Sequence, residues 1–145
     1  MITLDHVGID VNDLDAQVRF YQRAFDLSVE IDQDLPQFRF RYVMLRSADG
    51  WRVELFKRPG TTPHQTFDPD TQHNKLGIGH LALSVSDLET TYQRLMSLGA
   101  HSFIGPSASP EPSIQFAYLA DPEGNLIELV DRNGQSKTSR QEAGT

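Results

Sequence analysis

An internal repeat constrains the fold of this chain more than any other feature. Residues 5–14 read DHVGIDVNDL, and residues 79–88 read GHLALSVSDL. Each segment begins with alternating apolar residues, passes through a polar cap and leads into apolar residues at helical spacing. Because three further alternating or apolar runs follow each copy, each half of the chain predicts the order strand–helix–strand–strand–strand.

The repeat divides the chain into two modules. We predict a first module over 1–57, a linker over 58–77, a second module over 78–131 and a frayed polar tail over 132–145. An irregular loop is expected over Gly105–Pro112, which contains three prolines. At 145 residues, the chain has the size of one ordinary domain or two very small modules.

The predicted helices have recognisable ends. Ser86 and Glu89 form a capping-box pattern at the start of the second helix, and Asn12 with Asp15 is a weaker form of it in the first. Gly99 follows the last apolar residue and is expected to end the second helix. The strands after the helices are predicted at 27–32, 38–46, 51–57, 101–104, 114–120 and 125–130.

Composition excludes several classes of function. The formal net charge of −7 argues against nucleic acid or an anionic membrane surface as the main partner. The absence of cysteine excludes disulfides, thiolate metal sites and a cysteine nucleophile. No apolar run approaches the roughly 18 residues of a membrane helix, and the N-terminus lacks a signal-peptide pattern. We therefore expect a cytoplasmic protein that acts on a small molecule, with no nucleic-acid or membrane partner.

Four polar residues occupy matching positions in the two modules. The interval from His6 to Glu54 is 48 residues, and so is the interval from His80 to Glu128. On each predicted strand the candidate residue is out of phase with the apolar side chains, and therefore lies on the opposite face of the sheet. We expect the four side chains to converge in a cleft. Two imidazoles and two carboxylates suit a divalent ion such as Zn, Ni, Co, Mn or Fe(II).

Each of these four residues, taken alone, has a simpler interpretation. A single histidine on a strand is more commonly hydrogen-bonded or at the surface, and a single glutamate on an open sheet face is usually solvated. The recurrence of the same two residue types at matching places in two repeats favours a shared site. A cation also explains how two glutamates can be buried together.

Several longer segments resemble one known superfamily. They are DHVGIDVNDLDAQVRFYQRAFDL at 5–27, WRVELF at 51–56, GHLALSVSDLETTYQRLMSLGA at 79–100 and YLADPEGNLIELVD at 118–131. These segments resemble the vicinal oxygen chelate superfamily, which includes glyoxalase I, methylmalonyl-CoA epimerase, extradiol dioxygenases and the fosfomycin and bleomycin resistance proteins. The resemblance implies an α+β fold of two paired βαβββ modules that form a U-shaped metal-binding cleft. It also implies the same metal ligands: His6, Glu54, His80 and Glu128.

The same resemblance implies a glyoxalase-like lyase or isomerase. In such an enzyme Glu54 or Glu128 would leave the metal and remove a proton next to a substrate carbonyl. The chain departs from the glutathione-dependent members at Asp10, where they carry an arginine, and at Arg58, where they tend to have an asparagine. The expected substrate is therefore not a glutathione adduct. A homodimer is also expected by resemblance, with each metal site built either within one chain or across the dimer.

Three other interpretations stay open. An Fe(II)-dependent dioxygenase would need one glutamate that does not bind the metal. A methylmalonyl-CoA-type epimerase would take Gln37 as a ligand and leave Glu54 as a base or as an outer neighbour of the metal. A resistance protein that binds a drug or metabolite would need no metal at all.

A few further residues have weaker claims to function. Arg39 and Arg41 would hold a substrate carboxylate or phosphate only if they share the face of the metal ligands, and a solvated sheet face is the simpler interpretation. His64 and His73 lie in the predicted linker and are expected to be solvated.

Overall fold

The computed structural model describes residues 1–63 and 68–133, which belong to two compact units, Met1–His64 and Gln65–Thr145. His64 and the predicted tail from position 134 onward lie outside the described residues. The boundary between the units falls within the predicted linker. Among the helices that the structure describes, none is both long and apolar enough to cross a membrane.

The first unit is a four-stranded sheet with one helix. Its elements are β1 (Val7–Asp10), α1 (Leu14–Phe25), β2 (Ser28–Leu35), a 3-10 turn (Pro36–Phe38), β3 (Phe40–Arg46) and β4 (Arg52–Lys57). The strands lie in the order β1-β4-β3-β2, where β1 is parallel to β4 and the other pairs are antiparallel. The predicted order of elements in the first half is confirmed.

The second unit repeats this topology. Its elements are α2 (Pro69–His73), β5 (Leu81–Ser84), α3 (Leu88–Ser97), β6 (His101–Ala108), β7 (Gln115–Ala120) and β8 (Leu126–Asp131). The strand order is β5-β8-β7-β6, and β5 is parallel to β8. The two sheets and their helices give the α+β fold of two βαβββ modules that the sequence predicts.

Alternation along the strands separates a covered face from an open face in each sheet. Val53 and Leu55 on β4 are fully buried, as are Ile127 and Leu129 on β8. α1 packs against β3 and β4, and α3 packs against β6, β7 and β8. Full burial of such side chains stabilises the fold by about 1.5–3 kcal/mol each. The glutamate between each buried pair consequently lies on the open face.

The helix caps lie one residue away from the predicted positions. α1 is capped by Asp13, not Asn12, and its carboxylate accepts the backbone N–H three residues on at 3.0 Å. α3 is capped by Asp87, not Ser86, in the same way at 3.1 Å. Aspartate caps as well as asparagine or serine, and each prediction chose the wrong one of two adjacent capping residues. Gly99 adopts a φ of +100° just after α3, where the sequence predicts the helix to end.

A short helix, α2, forms inside the predicted linker. Asp68 caps it and accepts the backbone N–H of Thr71 at 3.0 Å. Pro69 occupies its first position, where the missing N–H has no helical partner in any case. A helix of this length has too few apolar residues for its periodicity to be read from the sequence.

The irregular loop expected over residues 105–112 is shorter than predicted. β6 continues through Ala108, so that the prediction is wrong for the first part of this segment. β6 lies at the edge of its sheet, and its register against β7 shifts between Ile104 and Ser107. An edge strand with such an irregularity tolerates Pro106, which a central strand would not.

The turn between β7 and β8 is built around Asp121. This side chain is fully buried and accepts hydrogen bonds from the backbone N–H groups of Glu123 and Asn125, each at 2.9 Å. It also accepts one from Nδ2 of Asn125 at 2.8 Å. Gly124 has a φ of +96°, which glycine adopts without strain. The turn determines where β8 begins and therefore where Glu128 lies.

We expect Asp121→Ala to lower the free energy of unfolding by about 3 kcal/mol, because the buried donors lose their acceptor. Urea denaturation followed by circular dichroism measures the change. The matched control is Asp49→Ala, in the exposed turn before β4, where we expect less than about 0.5 kcal/mol. Equal effects of the two substitutions would contradict the role given to Asp121.

Candidate metal centre

In the first unit, His6 and Glu54 lie side by side at the open face of the sheet. β1 runs parallel to β4 with Gly8 opposite Glu54, and His6 directly precedes β1. As a result, Nε2 of His6 lies 3.6 Å from Oε2 of Glu54. A Cβ atom at Gly8 would lie 3.5 Å from the same carboxylate oxygen, which is an ordinary van der Waals contact.

His6 has a second carboxylate on its other side. Its Nδ1 atom lies 2.7 Å from Oδ2 of Asp5, in hydrogen-bonding distance. This hydrogen bond is the main reason that the pKa of Asp5 lies below its usual value, and the positive charge of Arg52 lowers it further. The two ring nitrogens of His6 therefore face two different carboxylates.

The second unit contains the equivalent pair. β5 runs parallel to β8 with Ala82 opposite Glu128, and His80 directly precedes β5. Nε2 of His80 lies 3.0 Å from Oε2 of Glu128. The equal intervals in the sequence thus reflect the same pairing of the first and last strands in both units.

Tyr118 gives Glu128 a hydroxyl neighbour at the register position that Met44 occupies beside Glu54. Tyr118 on β7 is in register with Glu128, and its hydroxyl donates a hydrogen bond to the carboxylate. Burial, the negative charge of Glu128 and this hydrogen bond together raise the pKa of Tyr118 to about 12. The residue on β3 that is in register with Glu54 is Met44, which donates no hydrogen bond.

His73 on α2 belongs to the same cluster of rings. Its ring centroid lies 5.3 Å from that of His80 and 6.2 Å from that of Tyr118. His73 is exposed, as the sequence predicts, but its ring contacts two residues of the candidate site. Sequence reasoning missed both His73 and Tyr118. The sequence feature that could have identified Tyr118 is the tight turn between β7 and β8, because this turn places Tyr118 opposite Glu128.

Gln37, the alternative ligand, lies outside the strands. It is exposed in the 3-10 turn between β2 and β3. The position on β3 that faces Glu54 is taken by Met44. This placement favours Glu54 over Gln37 as the donor of the first unit.

Arg41 lies on the face opposite Glu54. Arg41 is in register with Lys57, which is an odd number of residues from Glu54 on β4 and therefore lies on the opposite face. Arg41 forms ion pairs with Asp15 of α1 at 3.0 Å and with Asp32 at 2.8 Å. The condition for Arg41 to hold a substrate anion beside the metal ligands is therefore not met.

The donor atoms suit a divalent ion. Each pair combines an imidazole nitrogen with a carboxylate oxygen, and both residue types bind Zn, Ni, Co, Mn and Fe(II). Within residues 1–63 and 68–133, no three or more His, Cys, Asp or Glu side chains form a group that holds a metal ion by itself. A centre with four protein ligands requires both pairs: His6 with Glu54 and His80 with Glu128. Their convergence on one ion stays a prediction.

Known proteins resemble the chain over most of its length. The family model described as the Glyoxalase/Bleomycin resistance protein/Dioxygenase superfamily matches residues 3–129. A probable lactoylglutathione lyase of Synechocystis is 24% identical over 133 residues, which cover 90% of this chain and 95% of that protein. A putative lactoylglutathione lyase of Brassica oleracea is 26% identical over 130 residues, but this chain spans only 43% of its length.

Solved structures show the same fold. A glyoxalase family protein from Bacillus cereus superposes with a TM-score of 0.72 at 25% identity, covering 90% of this chain and 94% of that one. A glyoxalase I mutant from Zea mays superposes with the same TM-score of 0.72 at 23% identity, covering 92% of this chain and 47% of that one.

We expect the phenol of Tyr118 to ionise near a pKa of about 12 in the metal-free protein. In Glu128→Gln its pKa should fall, because the carboxylate that opposes the phenolate is gone, but stay above the usual value because the ring remains buried. Absorbance at high pH after a rapid pH jump, referenced to Tyr118→Phe, measures this. The control Glu89→Gln, on the exposed side of α3, should leave the titration unchanged. An unchanged pKa in Glu128→Gln would contradict the contact.

Proposed function

Since this chain belongs to the Glyoxalase/Bleomycin resistance protein/Dioxygenase superfamily, we propose that it is a metal-dependent lyase or isomerase of the glyoxalase type. The proposed reaction moves a proton next to a carbonyl of a small substrate. The observation that carries the proposal is the pair of matching His–Glu contacts, 3.6 Å in one unit and 3.0 Å in the other. A drug-binding protein without a metal would have no need for this repeated set.

The proposed ligands are His6, Glu54, His80 and Glu128, with the two pairs contributed within one chain or by two chains of a homodimer. A bound divalent ion would supply a positive charge that stabilises negative charge developing on a substrate oxygen. The imidazoles are the natural permanent donors, since neutral histidine binds such ions well. The carboxylates would have a second task, because a carboxylate that is not bound to the ion would act as a base.

The two glutamates are not equally suited to act as the base. Glu128 is held by the Tyr118 hydroxyl and lies 3.0 Å from His80, so that its orientation is restrained from two sides. Among the described residues, Glu54 has only the longer 3.6 Å contact with His6. We therefore assign proton removal to Glu54, which is freer to turn toward a substrate, and a mainly ligating role to Glu128.

The open face near Glu54 indicates what kind of substrate fits. Phe56, two residues along β4, packs against Phe40 with a centroid distance of 4.6 Å. The guanidinium of Arg58 lies over both rings, 5.8 and 5.7 Å from their centroids. Asp10 is in register with Phe56 on the neighbouring strand. This surface offers aromatic contact and a positive charge to an apolar substrate that carries an anionic group.

Glutathione is not the thiol that we propose, although the curated relatives carry the name lactoylglutathione lyase. Asp10 and Arg58 stand where the glutathione-dependent enzymes are expected to have an arginine and an asparagine. An arginine replaced by an aspartate reverses the charge offered to a substrate carboxylate at that point. A smaller anionic thiol adduct, or a related acid, fits Arg58 and its aromatic neighbours better.

A substrate panel with defined metals tests the proposed reaction. Protein loaded with Zn, Ni, Co, Mn or Fe(II) is assayed with methylglyoxal adducts of several thiols, with acyl-CoA epimers and with catechols. We expect turnover of a thiol adduct and a loss of at least about 100-fold in kcat in Glu54→Gln, because the base is removed. Circular dichroism checks that the variant stays folded.

Other outcomes of the panel would overturn the proposal. Oxygen-dependent turnover of a catechol with iron would favour a dioxygenase, and racemisation of an acyl-CoA would favour an epimerase. A Glu54→Gln variant that keeps full activity would refute the assigned base. The matched variant Glu128→Gln separates the two roles, since it should lower metal affinity more than Glu54→Gln does.

We expect Arg58→Gln to raise KM for an anionic thiol adduct by about 10-fold, because one charge-assisted contact is lost. The value of kcat should change little, since Arg58 lies away from the proposed base. Lys57→Gln is the matched control, because Lys57 is the neighbouring cation on the opposite face of β4. Steady-state kinetics with an anionic and a neutral adduct measures the change. An equal rise in KM for the neutral adduct would contradict a charge contact.

A further inference from the structure

The two histidines of the proposed centre differ in the group next to Nδ1, the ring nitrogen that does not face the glutamate. Nδ1 of His6 is 2.7 Å from Oδ2 of Asp5. Nδ1 of His80 is buried and has no hydrogen-bond partner within the described residues. The residue that precedes His80 is Gly79, which has no side chain to offer. The repeat therefore conserves the imidazole and the glutamate but not the group on the far side of the ring.

Asp5 is the first member of a chain of charges on the first unit. Nη1 of Arg52 lies 3.8 Å from Oδ1 of Asp5. Arg52 also donates two hydrogen bonds to Glu30, from Nε at 2.7 Å and from Nη2 at 3.2 Å. Nη1 of Arg46 donates a third to the same carboxylate at 3.0 Å. These contacts hold Arg52 in place, and its charge attracts Asp5 from the side away from His6.

Residues 68–133 of the second unit contain no counterpart to this network at the equivalent strand positions. Arg46 and Arg52 are in register on β3 and β4. The equivalent pair on β7 and β8, two residues before Glu128 and opposite it, consists of Ala120 and Leu126. Both are buried apolar residues. At these strand positions, the charged network therefore belongs to the first unit, and buried apolar residues take its place in the second.

We propose that Asp5 is a positioning residue that holds the proton of His6 on Nδ1 and so leaves the Nε2 lone pair beside Glu54. A neutral imidazole carries one proton on either nitrogen, and a carboxylate that accepts from one nitrogen selects the tautomer. It also fixes the plane of the ring, as outer carboxylates commonly do for histidines that bind metals. This inference rests on the proposed metal centre for its purpose, but the tautomer itself is a property of the metal-free protein.

The exposure of Asp5 limits how much this contact adds to stability. Its side chain is 76% exposed, and an exposed ion pair contributes little to folding. A small interaction free energy is enough to select one tautomer, since the two tautomers of neutral imidazole are close in free energy. Removal of Asp5 should therefore alter His6 while leaving the unfolding transition almost unchanged, which distinguishes positioning from a structural role.

Nitrogen NMR of the metal-free protein, labelled at histidine, tests the inference. The spectra are recorded over a series of rising pH values, and the tautomer is read on the plateau where the nitrogen shifts of His6 no longer change with pH. We expect the Nδ1–H tautomer to predominate for His6 in the unmodified protein and the Nε2–H tautomer to gain population in Asp5→Ala. Asp10→Ala is the matched control, because Asp10 is also an exposed aspartate, at the other end of β1. It should leave His6 unchanged.

Zinc binding supplies the second readout. Loss of such an outer carboxylate weakens metal binding by about 10-fold to 100-fold in other sites, and we expect a loss in this range for Asp5→Ala. Asp5→Asn, which keeps an acceptor without the charge, should restore part of the tautomer preference and part of the affinity.

The two readouts fail in distinguishable ways. A His6 that carries its proton on Nε2 in the unmodified protein, or a tautomer that Asp5→Ala does not change, overturns the inference. A changed tautomer with unchanged zinc affinity overturns the link between Asp5 and the metal. An unmodified protein that binds no zinc but shows the predicted tautomer refutes the proposed centre and leaves the contact between Asp5 and His6 intact.

Discussion

The parallel pairing of the first and last strands in each unit is the constraint on which the rest of the site depends. It places His6 beside Glu54 and His80 beside Glu128, although 48 residues separate the members of each pair. The buried Val, Leu and Ile residues on the last strands pack on the covered face of each sheet and stabilise this pairing. Because side chains alternate along a strand, the same apolar residues that anchor β4 and β8 force the glutamates onto the open face.

The two units share a topology but surround their candidate ligands differently. In the first, Asp5 contacts His6, and Arg52, which pairs with Glu30, lies 3.8 Å from Asp5. In the second, aromatic rings and the Tyr118 hydroxyl surround His80 and Glu128. A repeat that keeps its ligands while changing their neighbours can assign different tasks to residues of the same type. This difference is the basis for treating Glu54 as the mobile carboxylate and Glu128 as the fixed one.

Most of the fold could be predicted from the sequence, because it follows from periodicity. The alternation of apolar residues around Glu54 and Glu128 correctly predicted that both glutamates lie on the open face, since the two-residue period applies along the whole strand. The missed features depend on contacts between distant residues or on short segments. α2 is too short to show a period, and the face of Arg41 depends on the register of β3. Tyr118 and Asp5 acquire their significance only from the atoms that they contact.

Zinc X-ray absorption spectroscopy tests most directly whether the two His–Glu pairs bind one ion. If they do, the unmodified protein should bind zinc stoichiometrically with two imidazoles in its coordination shell. His6→Ala and His80→Ala should each reduce that number to one. Two imidazoles that persist in either variant, or a protein that binds no stoichiometric metal after supplementation, would contradict a shared centre.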